Sequence, residues 1–98
     1  MRILIRASVP VEIGNQAIKD GMLPKAIREF TEKAKPESQY FTLHEGRRTM
    51  FAVIDLKDLS HIPMLLEPLF THLHAAIDYA PCMNGEDLAK GMQLLANK

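Results

Sequence analysis

Ninety-eight residues, 47% of them apolar, make one small domain with a thin core. Twelve basic and twelve acidic side chains cancel, which argues against a general nucleic-acid or anionic-membrane binder. A single cysteine, Cys82, excludes an internal disulfide framework and points to a reducing compartment.

The opening M-R-I-L-I-R is apolar for only a few residues before Arg6 interrupts it, too short a run for the core of a signal peptide. No stretch approaches the roughly 20 apolar residues that span a bilayer. The expectation is a soluble cytoplasmic protein, with residues 1–98 forming a single domain.

Arg2 to Val9 alternates as a strand does, with Ile3, Ile5, Ala7 and Val9 on one face and Arg2, Leu4, Arg6 and Ser8 on the other. Pro10 cannot donate to a ladder and stops it. Ile18, Met22, Ala26, Ile27, Phe30 and Ala34 then recur at helical spacing. Gly21 and Pro24 divide this segment into a helix from Ile13 to Asp20, capped by Gly21, and a second from near Pro24 to Pro36. A single kinked helix is the alternative.

Gln39 to Leu56 is a hairpin. Both arms are rich in aromatic and β-branched residues, and Gly46 supplies the positive φ of a tight reversal. The next helix is expected to be capped by Ser60 rather than Asp58, which keeps Pro63 inside the first turn. Pro68 ends or kinks it after about two turns, with Ile62, Leu65 and Leu66 buried. Thr71 to Ala80 alternates and predicts a fourth strand carrying His72, His74, Ala76 and Asp78 on one face. Asn84 caps a last helix, with Asp87 placed as the acid of a capping box and Leu88, Met92 and Leu95 as its apolar stripe.

This order, β-α-β, hairpin, β-α-β and a terminal helix, predicts an α+β domain of ferredoxin-like βαββαβ topology with a four-stranded antiparallel sheet. Helices cover one side of such a sheet. The other side would carry Leu4, Arg6, Ser8, Tyr40, Thr42, His44, Thr49, Phe51, Val53, His72, His74, Ala76 and Asp78. Its apolar part is large enough to mark an interface, and a second copy packed across it would enclose the polar part as a homodimer.

On that surface His44, His72 and His74 are the candidate catalytic groups, because an enclosed imidazole titrates near neutral pH. Arg6, Tyr40, Phe51 and Asp78 are the candidate ligand-binding residues. Arg6 suits a carboxylate, although pairing with Asp78 is the stronger expectation. His72-x-His74 on a strand would aim two imidazoles at one metal, but no acid or cysteine lies at a convincing spacing. No metal and no cofactor are therefore expected. Hydrogen bonding within a polar interior is the plainer role for these histidines, and packing at an interface is the plainer role for Tyr40. Cys82 has no base nearby in sequence, and no phosphate loop or nucleophile elbow is present.

The segments P-V-E-I-G-N (Pro10–Asn15), K-P-E-S-Q-Y-F-T (Lys35–Thr42), G-R-R-T (Gly46–Thr49), D-L-K-D-L-S-H-I-P (Asp55–Pro63), E-P-L-F (Glu67–Phe70) and E-D-L-A-K (Glu86–Lys90) together resemble the dimeric α+β-barrel superfamily. The nearest likeness is to a group of short bacterial proteins without an assigned activity. Muconolactone isomerase and the antibiotic-biosynthesis monooxygenases are more loosely similar. The resemblance implies a small organic ligand in a cavity between sheet and dimer partner, and isomerase or cofactor-free oxygenase chemistry. A non-catalytic ligand-binding or structural dimerisation module is the alternative on the same fold. A cavity of ~300 Å³ or more with convergent polar groups would separate binding from a merely structural interface.

Overall fold

The computed structural model describes residues 1–97. Strand β1 (Arg2–Val9) leads through Pro10 into helix α1 (Val11–Lys19) and helix α2 (Met22–Ala34). Strands β2 (Ser38–His44) and β3 (Arg47–Asp55) form the hairpin. A 3₁₀ turn (Leu59–His61) precedes helix α3 (Ile62–Leu73), strand β4 (Ala76–Pro81) and helix α4 (Gly85–Ala96).

The sheet order is β2-β3-β1-β4, and every neighbouring pair is antiparallel. The first strand in sequence is thus interior, which suits its buried alternate residues Ile3, Ile5, Ala7 and Val9. Met50, Ala52 and Ile54 of β3 point the same way. With Ala26 and Phe30 of α2 and Leu65, Leu66, Leu69 and Leu73 of α3 they make one apolar core on one side of the sheet.

The hairpin closes through Glu45 and Gly46, both at positive φ (54° and 76°), with His44 paired to Arg47. Two left-handed residues in a two-residue loop match the strand twist, so the register follows from the turn. Between α1 and α2, Gly21 is left-handed (φ 77°), and the Asp20 carboxylate accepts from the Met22 amide at 3.0 Å. The break lies where the sequence placed it. Each helix begins two residues earlier than expected, and Pro24 falls third in α2, where its missing N–H had no partner.

Three expectations are corrected. Asp58, not Ser60, caps the chain ahead of α3: it accepts from the Ser60 amide at 2.8 Å and the Ser60 hydroxyl at 2.6 Å. The 3₁₀ turn separates this cap from α3, so Pro63 still lies in the helix's first turn. Second, Pro68 does not end α3. It is buried inside a helix of 12 residues. An interior proline costs about 3 kcal/mol, but the stripe Leu65, Leu69 and Leu73 runs through it, each of these residues at most 5% exposed. Burial of a leucine contributes about 1.5–3 kcal/mol, so the residues beyond Pro68 outweigh it.

Third, the continued helix consumes the start of the expected strand. His72 lies in the last turn of α3, and His74 closes it in the left-handed region (φ 50°). The His74 amide donates to Phe70 O at 3.0 Å, the single bond of an αL cap, and the Ala75 amide donates to Leu69 O at 3.3 Å. Glycine fits that position without strain. His74→Gly is expected to raise stability by about 1 kcal/mol, read as a higher urea midpoint with an unchanged slope.

Asn84 caps α4, and both halves of the capping box with Asp87 are present, at 2.8 and 3.1 Å. Beyond this cap, Arg2 Nη1 donates to Asp87 Oδ2 at 3.3 Å in the first turn, and none of the side chains of α4 is buried. The chain is accordingly long, 56 × 28 × 17 Å, with a radius of gyration of 15.7 Å. A compact chain of this length has about 13 Å. No described helix is long and apolar enough to cross a membrane.

Candidate functional site on the bare sheet face

The side of the sheet away from the helices carries Leu4, Arg6 and Ser8 of β1, Tyr40, Thr42 and His44 of β2, Thr49, Phe51 and Val53 of β3, and Ala76 and Asp78 of β4. Register aligns Tyr40, Phe51, Arg6 and Asp78 in one row across all four strands. The next row is Thr42, Thr49, Ser8 and Ala76, in which Ser8 Oγ and Thr49 Oγ1 lie 3.0 Å apart.

Arg6 is the centre of this face. Its Nη2 donates to Asp78 Oδ2 at 2.5 Å, and its Nη1 lies 3.1 Å from His44 Nε2 across β3. The guanidinium has no lone pair to offer and stays protonated, so it donates and His44 Nε2 accepts. The proton of a neutral His44 is therefore on Nδ1. While this bond stands, Nε2 is not free to take a proton from a substrate. Glu45 Oε1 is 4.0 Å from the same nitrogen.

Two of the five N–H groups of Arg6 are used, and three remain. With the hydroxyls of Tyr40 and Thr42 on the same side of the sheet, the face offers donors to a carbonyl or carboxylate oxygen, between the apolar surfaces of Phe51, Leu4 and Val53. The charge of Arg6 is already balanced by Asp78. The cluster is thus a fixed set of donors rather than an unmatched positive charge.

The structure brings together Arg6, His44 and Asp78, with Tyr40 and Phe51 in the same row. It removes His72 and His74 from this group. His72 is on the helical side, where its Nε2 lies 3.8 Å from Glu29 Oε2 of α2, and His74 is exposed at the end of α3. The reason is the one given above: leucine burial carries the helix past Pro68. Among the described residues no group of three or more His, Cys, Asp or Glu side chains is placed to hold a metal ion.

Hydrogen bonds from Lys57 and the terminal ammonium hold Asp55 below the ordinary carboxylate value. The Ser60 hydroxyl and amide do the same for Asp58. The hydrogen bond and charge of Glu37 raise Arg2 further.

One hollow was not foreseen from the sequence. A groove of about 380 Å³ lies on the helical side of the sheet, walled by Leu23 and Ile27 of α2, Phe41 and Leu43 of β2, and Met50 and Leu69. Its lining is almost wholly apolar, unlike the Arg6 cluster on the opposite face. The signal was present in the alternation of Phe41 and Leu43: they point toward the helical side from an edge strand that α2 meets at Gln39, where Nε2 donates to Thr31 Oγ1 at 3.0 Å, and both remain exposed. No protein-family model matches the sequence, and no curated protein matches it.

Proposed function

We propose that the chain is a ferredoxin-like subunit of a dimeric α+β barrel, its bare sheet face closed by a second copy, and that the enclosed Arg6 row binds a small organic molecule through a carbonyl or carboxylate oxygen. The observation that carries this reading is the pairing of opposites on one surface. Leu4 (40% exposed) and Tyr40 (68% exposed) share it with a guanidinium fixed by two partners. A solvated face has no use for the first, and a plain apolar interface has none for the second. The sheet order supports the topology, and closure by a second copy would turn an open face into a chamber.

Within that chamber Arg6 orients the ligand oxygen, Tyr40 and Phe51 flank it, and Asp78 holds Arg6 in place. His44 acts as a general base in isomerase or cofactor-free oxygenase chemistry only if ligand binding draws Arg6 off its Nε2. The closed Arg6–His44–Asp78 set favours a second reading, a binding or structural module with no turnover.

Native mass spectrometry of protein purified from cells tests the proposal. A small molecule retained on the dimer and lost from Arg6→Met, with the dimer intact, is the expected result. Removing a charge-assisted donor costs about 1.5–3 kcal/mol, roughly 10- to 150-fold in affinity. Equal retention by Arg6→Met would remove Arg6 from the site.

A further inference from the structure

Arg2, Arg6 and Arg48 are the half-buried arginines, and their charges are not met in the same way. Arg2 is paired with Glu37 and Asp87, and Arg6 with Asp78. Arg48 takes part in none of the ion pairs among the described residues. Its Nη1 and Nη2 both donate to one neutral oxygen, Asn15 Oδ1, at 3.1 Å each. Three of its five N–H groups, the one on Nε among them, have no partner among the described residues.

This cation is held in place. Gly14 of α1 is buried against it: a Cβ there would lie 2.7 Å from Nη1 and 3.5 Å from Cδ of Arg48. The absent side chain lets the guanidinium lie on the helix, and Asn15 then fixes the end of the fork. The segments Pro10–Asn15 and Gly46–Thr49, far apart in sequence, meet at this side chain.

Arg48 also stands at one end of the apolar groove. It pairs with Val9 of β1 and Leu43 of β2, and all three residues line the groove. From that row the groove runs between Leu23 and Ile27 of α2 and Leu69 of α3, with carbon on nearly every side. One uncompensated charge thus heads an otherwise apolar hollow. The volume of about 380 Å³ is on the scale of small-molecule sites, ~300–1,000 Å³. A single turn of a partner helix, about 10 Å across and 5.4 Å in pitch, would already exceed it at about 420 Å³. At about 30 Å³ per non-hydrogen atom, a water's share of the liquid, the groove holds about a dozen such atoms.

We propose that the groove binds a monocarboxylic acid with an apolar body of about ten carbons, its tail between α2, α3 and β2 and its carboxylate on the free N–H edge of Arg48. The charge count selects this class. One guanidinium meets one carboxylate bidentately, whereas a phosphate monoester would bring a second negative charge, and Arg48 is the sole cation among the groove walls. A neutral chain would leave Arg48 half-buried without a counter-ion. The groove is on the opposite side of the sheet from the Arg6 row, so the site stands whether or not a second copy closes the bare face.

Calorimetric titration of the full chain with decanoate tests this, against 1-decanol, which keeps the tail, and butanoate, which keeps the charge. Decanoate is expected to bind one per chain, and both controls about tenfold or more weakly. Arg48→Met removes the charge and keeps an apolar stem. Asn15→Asp keeps the shape of its side chain and gives Arg48 an internal counter-ion. Each is expected to weaken decanoate binding about tenfold or more and to leave 1-decanol unchanged. Arg6→Met is expected to change neither. Equal affinities for decanoate and 1-decanol overturn the proposal, as does a decanoate affinity that Arg48→Met and Asn15→Asp leave unmoved; Arg48 then only covers the groove wall. Decanoate that fails to saturate the chain also overturns it. Loss of decanoate from Arg6→Met with retention by Arg48→Met would assign the carboxylate to the bare sheet face instead. Amide chemical shifts supply a reading without any substitution. They are expected to move at Leu23, Ile27 and Leu43, and a response confined to α4 would overturn the site.

Discussion

Phe30→Ala is expected to lower the unfolding free energy by about 3–5 kcal/mol, moving the urea midpoint sharply toward zero. Phe30 is 0% exposed and stands on α2 within the core shared by β1, β3 and α3. A domain of this size holds about 5–15 kcal/mol in total, and here α4 buries none of its side chains. The variant should therefore be largely unfolded at the lower end of that range. Phe41→Ala is the matched control. Phe41 is 57% exposed, so the same deletion should cost well under half as much in the isolated subunit. Equal midpoint shifts for the two would mean that the core is not where the structure places it.

Phe51→Glu is expected to convert a dimer into single chains without unfolding them. Phe51 projects from β3 on the bare face, beside Arg6, and takes no part in the buried core. An aromatic anchor at the centre of an interface is worth at least about 2 kcal/mol. Each dimer would contain two, so the dissociation constant should rise roughly a thousandfold. Sedimentation across micromolar concentrations reads the change, and far-UV circular dichroism checks that the subunit remains folded. If the unaltered chain already sediments as a monomer throughout that range, the proposed chamber has no second wall.

Much of this architecture was readable because local signals agreed with one another. Pro10, Gly21, Pro36, Gly46 and Asn84 each mark a boundary through their own backbone chemistry, and the structure turns at or beside all five. The alternation Arg2–Val9 also assigned both faces of β1 correctly, which placed Arg6 on the bare side before its partners were known. The errors cluster around α3, where two local rules conflict. Pro68 reads as a stop, and T-H-L-H-A-A-I reads as a strand. Both readings lose to a leucine stripe at four-residue spacing, whose value depends on a core assembled from distant strands. That single conflict moved His72 and His74 out of the candidate site.

The link between Arg6 and His44 was not readable, because it runs across β3 and depends on how the sheet is shaped. Their sequence separation is 38 residues, and alternation shows only that both lie on one face. The groove escaped notice for a related reason: coverage of an edge strand depends on how far two helices extend over four strands. No pattern within β2 states that distance.

The outer edge of the hairpin has its own consequence. Strand β2 terminates the sheet, and its sequence S-Q-Y-F-T-L-H contains no proline and no fully charged residue. Backbone amides and carbonyls on its far side therefore offer a template for another extended chain, with two aromatics to hold it. Natural edges are usually blunted by a lysine, a bulge or a proline within the strand. Here the protection must come from whatever lies against Phe41 and Leu43, so a solution of lone subunits is also the state most exposed to fibrous association.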